Sequence, residues 1–346
     1  MKNKNKIDYA SAGVNLHAAD EALDKIKKLA RATFNENVLS DIGSFGGLFK
    51  PPLEKFKEPI LVSSTDSVGT KLKLAFMTGI HNTVGQCIVN HGVNDILVQG
   101  ATPLFFMDYL GVGVVKPEII AQIVEGLTVA CMENNMPLLG GETAELPGFY
   151  KPGEYDLVGT IVGMVDRNKI VDGSAITEGN IIYGLPSVGL HTNGYSLARK
   201  ICFEIAGLQA DSYVEEIKGK IGLELLKVHR SYLKSITQLM NEVNIKGMAH
   251  ITGGGIAGNL IRIIPKNLKA VLKKDSWPNL PIFEYLQRQG GVADNDMFDA
   301  FNMGIGYIVV VDKSDITKTE EVLANLNQEF YRIGAIEKGV REVGIK

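Results

Sequence analysis

The stretch from Asn94 to Pro103 places the carboxylate of Asp95 about one helical turn before a strong helix stop, Gly-Ala-Thr-Pro. Helices commonly end at Gly and then at Pro, because Gly tolerates the left-handed exit and Pro cannot continue the backbone hydrogen bonds. The apolar spacing of the preceding residues predicts a helix from Thr83 to Gln99, which carries His91 and Asp95. A solvated helix carboxylate is the alternative reading of Asp95, but the surrounding helix is too apolar to be exposed comfortably.

A second acidic stretch, Thr65–Lys71, lies upstream of this helix. It follows the apolar residues Pro59–Ser64, which predict a buried strand that delivers Thr65 and Asp66 at its C-terminal end. The stretch also carries hydroxyls, a glycine and the cation Lys71. Two acidic groups and a cation together indicate a site for a nucleotide with magnesium, because Mg2+ prefers oxygen ligands.

Glycine is enriched, at 38 of 346 residues, and much of it is clustered. One cluster is the segment Gly43, Ser44, Phe45, Gly46 and Gly47, where the backbone could approach an anion closely; a surface turn is the plain alternative. Another glycine cluster, Gly140 and Gly141, follows a short apolar strand predicted at residues 137–139. That strand leads into a loop, Gly140–Thr143, which contains Glu142. Loops at strand ends are where α/β folds commonly keep their chemistry.

Two segments of the second half offer groups that bind anions. The loop Ser187–Ser196 contains His191 and Asn193, and the run Thr252, Gly253, Gly254 and Gly255 precedes a helix predicted over 256–264. One helix N-terminus contributes only about 0.3–1 kcal/mol to anion binding. A triphosphate therefore needs a metal ion as well, whereas a glycine loop can hold one phosphate. This asymmetry favours a nucleotide on the first half and a monophosphate substrate on the second.

A clean helical stripe over residues 226–243 includes His229. On such a stripe a histidine is expected to be packed in the core or at its edge rather than to act as a ligand.

Length and composition set further limits. A chain of 346 residues exceeds one typical core, and the polar, turn-rich span 166–179 predicts domains at 1–168 and 169–346. The near balance of 36 basic and 39 acidic residues gives no basic field for nucleic acid. The start of the sequence shows no apolar signal segment, and no run of 18 apolar residues predicts a membrane span. Three cysteines without CxxC spacing fit a reducing, cytoplasmic location.

Eight sequence blocks, in one order, resemble those of the aminoimidazole ribonucleotide synthetase superfamily, most closely its ring-closing purine-pathway branch. The blocks are Tyr9-x-x-Ala-Gly-Val14, Ile42-Gly-x-Phe-Gly46, Thr65-Asp-x-Val-Gly-Thr-Lys71, Asp95-x4-Gly-Ala-x-Pro-Leu-Phe-Phe106, Gly140-Gly-Glu-Thr-Ala-Glu145, His191-x-Asn-Gly-Tyr-Ser196, His250-Ile-Thr-Gly-Gly-Gly255 and Phe301-Asn-Met-Gly-Ile-Gly306. The chain departs from the family pattern at Asn15, at Ala19 and over residues 256–261.

The resemblance implies an α/β subunit of two domains. The mixed sheet of the first domain pairs across a homodimer into a β-barrel, and the second domain is an α/β sandwich. It also implies Mg2+, commonly with K+, and a purine-biosynthetic reaction. In that reaction ATP converts formylglycinamidine ribonucleotide to aminoimidazole ribonucleotide, ADP and phosphate.

The resemblance also implies roles for individual residues. Asp66 and Asp95, with Glu142 as a third candidate, would hold magnesium. Lys71 and Lys27 would steady phosphate charge, while the segment Gly43–Gly47 folds over the triphosphate. His191 and Asn193 would face the substrate amide, with His191 as a proton shuttle, and Thr252–Gly255 would hold the ribose phosphate.

Other activities of the superfamily fit less well. Selenophosphate synthetase needs a reactive cysteine near its N-terminus, whereas the first cysteine here is Cys87. Thiamine monophosphate kinase is not expected to carry the His191 and His250 blocks in this form. A non-catalytic or differently specific nucleotide-binding member remains the alternative to the cyclisation reaction.

Overall fold

The computed structural model describes residues 16–346, with side chains from residue 20 onward. The Tyr9–Val14 block and Asn15 therefore lie outside the described residues, as does the side chain of Ala19.

The first half alternates strands and helices. In chain order its elements are α1 (Leu16–Arg31), β1 (Pro59–Ser67), α2 (Leu72–Thr78), α3 (Asn82–Leu97), β2 (Thr102–Val112), α4 (Pro117–Glu133), β3 (Leu138–Glu145) and β4 (Tyr155–Asp166). The four strands form one mixed sheet in the order β1-β4-β2-β3, in which only β2 and β3 run parallel.

This first sheet has one covered face and one open face. On the covered face, apolar side chains of α3 and α4, such as Ile88 and Leu127, pack in the same core as Phe106 and Ile161 of the sheet. Strand β1 alternates between half-buried and exposed residues, and Leu61 on its open side is 64% exposed. This alternation is the period of two that a strand imposes when only one of its faces is packed.

The second half is built on a larger sheet. Its elements are β5 (Ile181–Pro186), α5 (Tyr195–Arg199), β6 (Tyr213–Val214), β7 (Gly219–Lys220), α6 (Ile221–Leu225), α7 (Leu233–Glu242), β8 (Gly247–His250), α8 (Gly255–Leu260), β9 (Leu268–Leu272), α9 (Pro281–Gly290), α10 (Asp294–Ala300), β10 (Ile305–Val311), α11 (Ile316–Asn325), β11 (Tyr331–Lys338) and β12 (Glu342–Ile345). The large sheet has the order β12-β9-β11-β5-β10-β8, and β6 and β7 form a small hairpin.

Both faces of the six-stranded sheet are covered, which makes this half a layered α/β sandwich. Along β10, Ile308 and Val310 face a core that includes Ile256 of α8. Tyr307 and Val309 face the opposite core with Ile236 of α7. The mixed α/β fold with a sheet in each half agrees with the prediction.

Short 3-10 turns and one π-helix connect the larger elements. The turns are Leu53–Lys55, Gly69–Lys71, Arg167–Lys169, Ile261–Ile263, Lys274–Ser276 and Lys313–Asp315, and the π-helix is Lys200–Ile205. Of the helices in the described part of the chain, none has the length and apolar character that crossing a membrane requires.

Two local predictions are wrong. Residues 140–143 are not a loop, because β3 continues through them and pairs with β2 as far as Glu145. Residues 226–243 are not one helix either, since 226–232 form an irregular segment between α6 and α7. There, backbone groups bond to side chains of the first half instead of to a helix: Asn90 donates to the His229 carbonyl, and Asn94 bonds to the Arg230 carbonyl and the Tyr232 amide.

Candidate active site

Asp66 and Asp95, far apart in sequence, meet on the covered face of the first sheet. Asp66 lies near the end of β1, and Asp95 lies one turn after His91 on α3. His91 Nε2 is 2.8 Å from Asp66 Oδ2 and 3.5 Å from Asp95 Oδ2. The sequence predicted this pair, and the fold brings the two carboxylates together around one imidazole.

The carboxylates and His91 stabilise one another's charges. The hydrogen bond from His91 lowers the pKa of Asp66. Burial opposes ionisation of Asp95, but hydrogen bonds from His250 and Ser64 and the charges of His250 and His91 outweigh it, lowering the pKa of Asp95 to about 2. Burial likewise opposes a charge on His91, yet the bond to Asp66 and the nearby negative charges raise its pKa. The site therefore favours carboxylates beside a cation.

Side chains of the second half complete a closed ring of contacts with this pair. His250, the last residue of β8, contacts Asp95 Oδ1 through Nδ1 at 2.8 Å. Its Nε2 is 3.0 Å from His229 Nε2. Thr192 Oγ1 then lies 3.3 Å from His229 Nδ1 and 2.8 Å from His91 Nδ1. The two halves of the chain thus share one buried polar network.

His229 was expected to be a packed core histidine, and its ring is indeed fully buried. Its neighbours, however, are polar: Thr192, Asn94 and His250 all lie within hydrogen-bonding distance of its ring nitrogens. Burial, together with the nearby imidazoles, lowers the pKa of His229 well below its usual value. The sequence pattern suggested that residue 229 lies on a helix, which it does not, and so the pattern did not indicate these polar contacts.

His191 lies in the loop after β5, with a left-handed backbone at φ 60°. Its ring stacks on His229 with centroids 4.0 Å apart and is 1% exposed. Its Nε2 is 3.4 Å from the Val188 amide, and its Nδ1 has no hydrogen-bond partner among the described residues. Burial and nearby positive charges lower the pKa of His191 well below its usual value, so the ring is neutral at pH 7.

Lys71 does not face a cleft. Its ammonium is buried and donates to the carbonyls of His191 at 2.8 Å and Lys227 at 2.6 Å, with Cys87 Sγ at 3.1 Å. Burial lowers the pKa of Lys71. An ammonium has three donors, and all three are used inside the protein. In this structure Lys71 therefore joins the two halves instead of making the expected phosphate contact.

The run Thr252–Gly255 forms a tight turn that enters α8. Gly254 and Gly255 have φ of 89° and 61°, a conformation that glycine adopts without strain. The Asn259 amide donates to the carbonyls of Thr252, Gly253 and Gly255 and holds the turn closed. Asn193 lies beside this turn, since a Cβ on Gly253 would be 3.4 Å from Asn193 Oδ1.

A cavity of about 290 Å³ connects this turn to Asp95. It is lined by residues of both halves, among them Ser64, Asp95, His250, Thr252 and Arg262. It therefore places a cation and hydroxyls beside the Asp95 carboxylate. The sequence prediction missed Arg262.

The glycine segment 43–47 borders a separate and larger cleft of about 670 Å³, beside β3. A Cβ on Gly43 would lie 3.6 Å from Lys27 Nζ, so the ammonium of Lys27 lies beside this segment. The lining carries five carboxylates, those of Asp20, Asp41, Asp108, Glu142 and Glu145. Phosphate here would therefore need a bound cation.

Asp108 is a further site residue that the sequence prediction did not single out. It lies in β2 at the base of this cleft, and burial raises its pKa to about 7. A lone carboxylate in the otherwise apolar run Pro-Leu-Phe-Phe-Met-Asp was the signal that could have revealed it.

Glu142 cannot share an ion with Asp66 and Asp95 within one chain. Glu142 is paired across the sheet with Tyr109 of β2. Asp66 belongs to the neighbouring row of paired residues, which runs across the four strands through Gly159, Asp108 and Gly141. Adjacent rows point to opposite faces, and β1 and β3 are the two edges of the sheet, about 14 Å apart at the usual strand spacing. The same alternation turns Thr65 away from Asp66, toward Thr160 at 2.9 Å.

Comparisons with known proteins agree with this organisation. The model of the AIR synthase related protein N-terminal domain matches residues 55–165, and that of the C-terminal domain matches residues 177–346. A relative from Syntrophotalea carbinolica, named phosphoribosylformylglycinamidine cyclo-ligase, is 49% identical over 99% of this chain and 98% of its own length. One of the same name from Alkaliphilus oremlandii is 48% identical over 98% of this chain and 99% of its own.

Solved structures with the same fold are more distant in sequence. Thiamine-monophosphate kinase from Stenotrophomonas maltophilia K279a has a TM-score of 0.71 at 18% identity, over 94% of this chain and 96% of that one. Hydrogenase maturation protein HypE in complex with ATP has a TM-score of 0.64 at 17% identity, over 90% of this chain and 84% of that one. At such identity the likeness concerns the fold.

Proposed function

The chain belongs to the AIR synthase family, and from that membership we propose that it closes the imidazole ring in purine biosynthesis. The reaction is the ATP-dependent conversion of formylglycinamidine ribonucleotide to aminoimidazole ribonucleotide, with release of ADP and phosphate. The observation that carries the proposal is the near-complete coverage of relatives, 48–49% identical, that bear the cyclo-ligase name.

The chemistry explains why ATP is required. An amide oxygen is a poor leaving group, so the oxygen of the formyl-derived amide first attacks the γ-phosphorus and ADP leaves. The amidine nitrogen then attacks the activated carbon, and phosphate departs with the former amide oxygen. The amide nitrogen and the attacking nitrogen each lose one proton, one of which ends on the phosphate. A proton shift from the methylene carbon to the exocyclic nitrogen makes the ring aromatic. The protein contributes mainly by holding two charged molecules in line and stabilising their charge.

In this proposal Asp66 and Asp95 hold magnesium against the phosphates of ATP. Their ligand atoms and that of His91 lie within 4.8 Å of one another, and Asp66 is half exposed, so an ion there can retain water as Mg2+ prefers. When bound, the ion would neutralise phosphate charge. In this structure the positive partner of the two carboxylates is His91. Potassium, which the family implies, is part of the same proposal.

The second half then binds the substrate. The cavity between Asp95 and the turn 252–255 offers hydroxyl and guanidinium donors from Thr252 and Arg262 to the ribose phosphate. Asn193 lies against Gly253 at this turn and is placed to hold the substrate amide. His191 is too buried to reach solvent directly, so we assign its ring to supporting the loop and to proton transfer once substrate has entered.

We further propose two domains, 1–168 for ATP binding and dimerisation and 169–346 for substrate binding, in a cytoplasmic homodimer. The open face of the first sheet supports dimerisation, because Leu61 lies exposed on it and both edge strands, β1 and β3, lack a second partner among the described strands. Two such sheets can close into a barrel, which removes exposed edges. Light scattering should give twice the chain mass for the native protein and a monomer for Leu61→Lys. A native monomer would refute this arrangement.

The activity is tested by incubating the purified protein with Mg2+, ATP and formylglycinamidine ribonucleotide. Aminoimidazole ribonucleotide is then detected by a coupled colour reaction of its aromatic amine. Colour that depends on both ATP and substrate supports the proposal. ATP binding without product would instead favour the alternative, a non-catalytic or differently specific member of the family.

A further inference from the structure

Three buried imidazoles, those of His91, His229 and His250, surround one point between the two halves of the chain. Their ring centroids are 5.0, 5.0 and 5.4 Å apart, nearly an equilateral triangle. One nitrogen from each ring lies within 4.8 Å of one nitrogen from each of the others. A metal–nitrogen bond of about 2.1 Å with tetrahedral angles separates ring centres by about 5 Å. The triangle therefore has the size that a shared ion requires.

For His229 and His250, the nitrogen that faces away from this point is already anchored. Both nitrogens of His91 have contacts, Nδ1 with Thr192 at 2.8 Å and Nε2 with Asp66 at 2.8 Å, and the ion would replace one of them. His250 Nδ1 contacts Asp95 at 2.8 Å, which leaves Nε2 directed at His229. His229 Nδ1 lies 3.3 Å from Thr192 Oγ1, which leaves its Nε2 directed at His250. A ligating histidine usually donates its other N–H to a carboxylate or another oxygen, which fixes the ring orientation. The pairs Asp95–His250 and Thr192–His229 reproduce that arrangement.

Charge and chemistry also favour a particular class of ion. On binding, the ion would displace the proton that His91 holds between the carboxylates, so that all three imidazoles supply lone pairs. The carboxylates of Asp66 and Asp95 beside them supply two negative charges. Imidazole nitrogen suits zinc, cobalt, nickel and copper, whereas magnesium prefers oxygen. The adjoining cavity of about 290 Å³ reaches Asp95 and His250, and it provides both an entry path and room for a water as fourth ligand.

We propose that His91, His229 and His250 bind one divalent transition-metal ion of the zinc class. The ion joins α3 of the first half to β8 and the 226–232 segment of the second. This site goes beyond the cyclo-ligase activity and is separate in its ligands from the magnesium that Asp66 and Asp95 are proposed to hold.

The test uses full-length protein stripped with a chelator, without ATP or substrate, so its outcome does not depend on the cyclo-ligase activity. Co2+ is titrated by calorimetry and visible spectroscopy. We expect one ion per chain, with the d–d absorption bands of nitrogen-ligated Co2+. His229→Asn should weaken binding by about tenfold or more, because it removes a ligand. His81→Asn is the matched control: His81 is equally buried, bonds to Tyr155 at 2.9 Å, and should leave binding unchanged.

Two further measurements on the wild-type protein test the site even if His229→Asn fails to fold. Excess Mg2+ should not displace the bound Co2+, and a crystal soaked in Zn2+ should show an anomalous peak between the three rings. Absence of Co2+ binding by the wild-type protein would overturn the site. So would displacement of Co2+ by Mg2+, or an anomalous peak on the carboxylates alone, because each would place the ion on oxygen ligands.

Discussion

His250 lies 2.8 Å from Asp95, Nδ1 to Oδ1, and so joins the end of a second-half strand to a helix of the first half. The contact sets the orientation of the carboxylate whose other oxygen faces His91 and Ser64. Residues that hold ATP and residues that hold the substrate are thus proposed to meet at one carboxylate. Substitutions here should affect catalysis more than folding.

Asp95→Asn should lower turnover of aminoimidazole ribonucleotide by about a hundredfold or more, because metal stabilisation of phosphate charge is worth several kcal/mol. The amide keeps the shape of the side chain but loses the charge that His250 and His91 stabilise, so the folded protein should be destabilised by only about 1–2 kcal/mol. Asp275→Asn, an exposed carboxylate in a remote turn, serves as the control and should retain full activity. Near-normal turnover in Asp95→Asn would remove Asp95 from the metal site.

Lys71→Met should destabilise the protein by about 2–4 kcal/mol. The substitution removes the ammonium hydrogen bonds to the carbonyls of His191 and Lys227, and hydrogen bonds to charged groups contribute about 1.5–3 kcal/mol each. Tyr195 still donates to the His191 carbonyl, whereas the carbonyl of Lys227 loses this donor. Lys73→Met removes an exposed pair with Glu154 and should change the free energy of unfolding by less than about 1 kcal/mol. Urea unfolding measures both. A stable but inactive Lys71→Met variant would instead restore the phosphate role expected from the sequence.

Asp108 should make stability fall as pH rises from about 4 to 7. Burial raises its pKa to about 7 in the folded protein, against about 3.9 in the unfolded chain. Between these values the unfolded chain releases a proton that the folded protein retains, so ionisation favours unfolding, and the loss is complete above pH 7.

Asp108→Asn removes this pH-dependent loss of stability. Its unfolding free energy relative to wild type should therefore increase between pH 5 and pH 7.5, by about 2.5 kcal/mol. Urea unfolding at both pH values provides the measurement. A difference between Asp108→Asn and wild type that does not change with pH would show that Asp108 titrates normally.

Gly159→Ala should destabilise the first half by about 1–3 kcal/mol through overpacking. Gly159 lies in β4 between Asp66 and Asp108, and a Cβ there would come 2.2 Å from Phe106 Cζ and 2.8 Å from Ile88 Cγ1. Gly344→Ala in β12 meets no atom within 4 Å and should be nearly neutral. Thermal unfolding compares the two. Equal melting temperatures would mean that α3 can move away from the sheet at little cost.

Elements with strong local patterns were predicted well. The helix expected from Thr83 to Gln99 is α3, with Val84, Ile88, Val93 and Ile96 buried. The strand expected over Pro59–Ser64 is β1, although it alternates between exposed and half-buried residues instead of being buried. In both, apolar residues of regular period decide the structure. Residues 140–143 were misread because their glycines indicate a loop, although pairing with β2 keeps them extended.

By itself, the sequence determined the mixed α/β class and the family and indicated Asp66 and Asp95 as candidate metal ligands, since these inferences depend on local periodicity and on ordered blocks of residues. Only the tertiary structure decided which side chains meet. It placed Glu142 on the opposite face and edge of the sheet from Asp66, buried Lys71, and brought His229 and His250 beside the acidic pair. Sheet order and strand register set those distances, and both arise from contacts between residues remote in sequence, which no local pattern encodes.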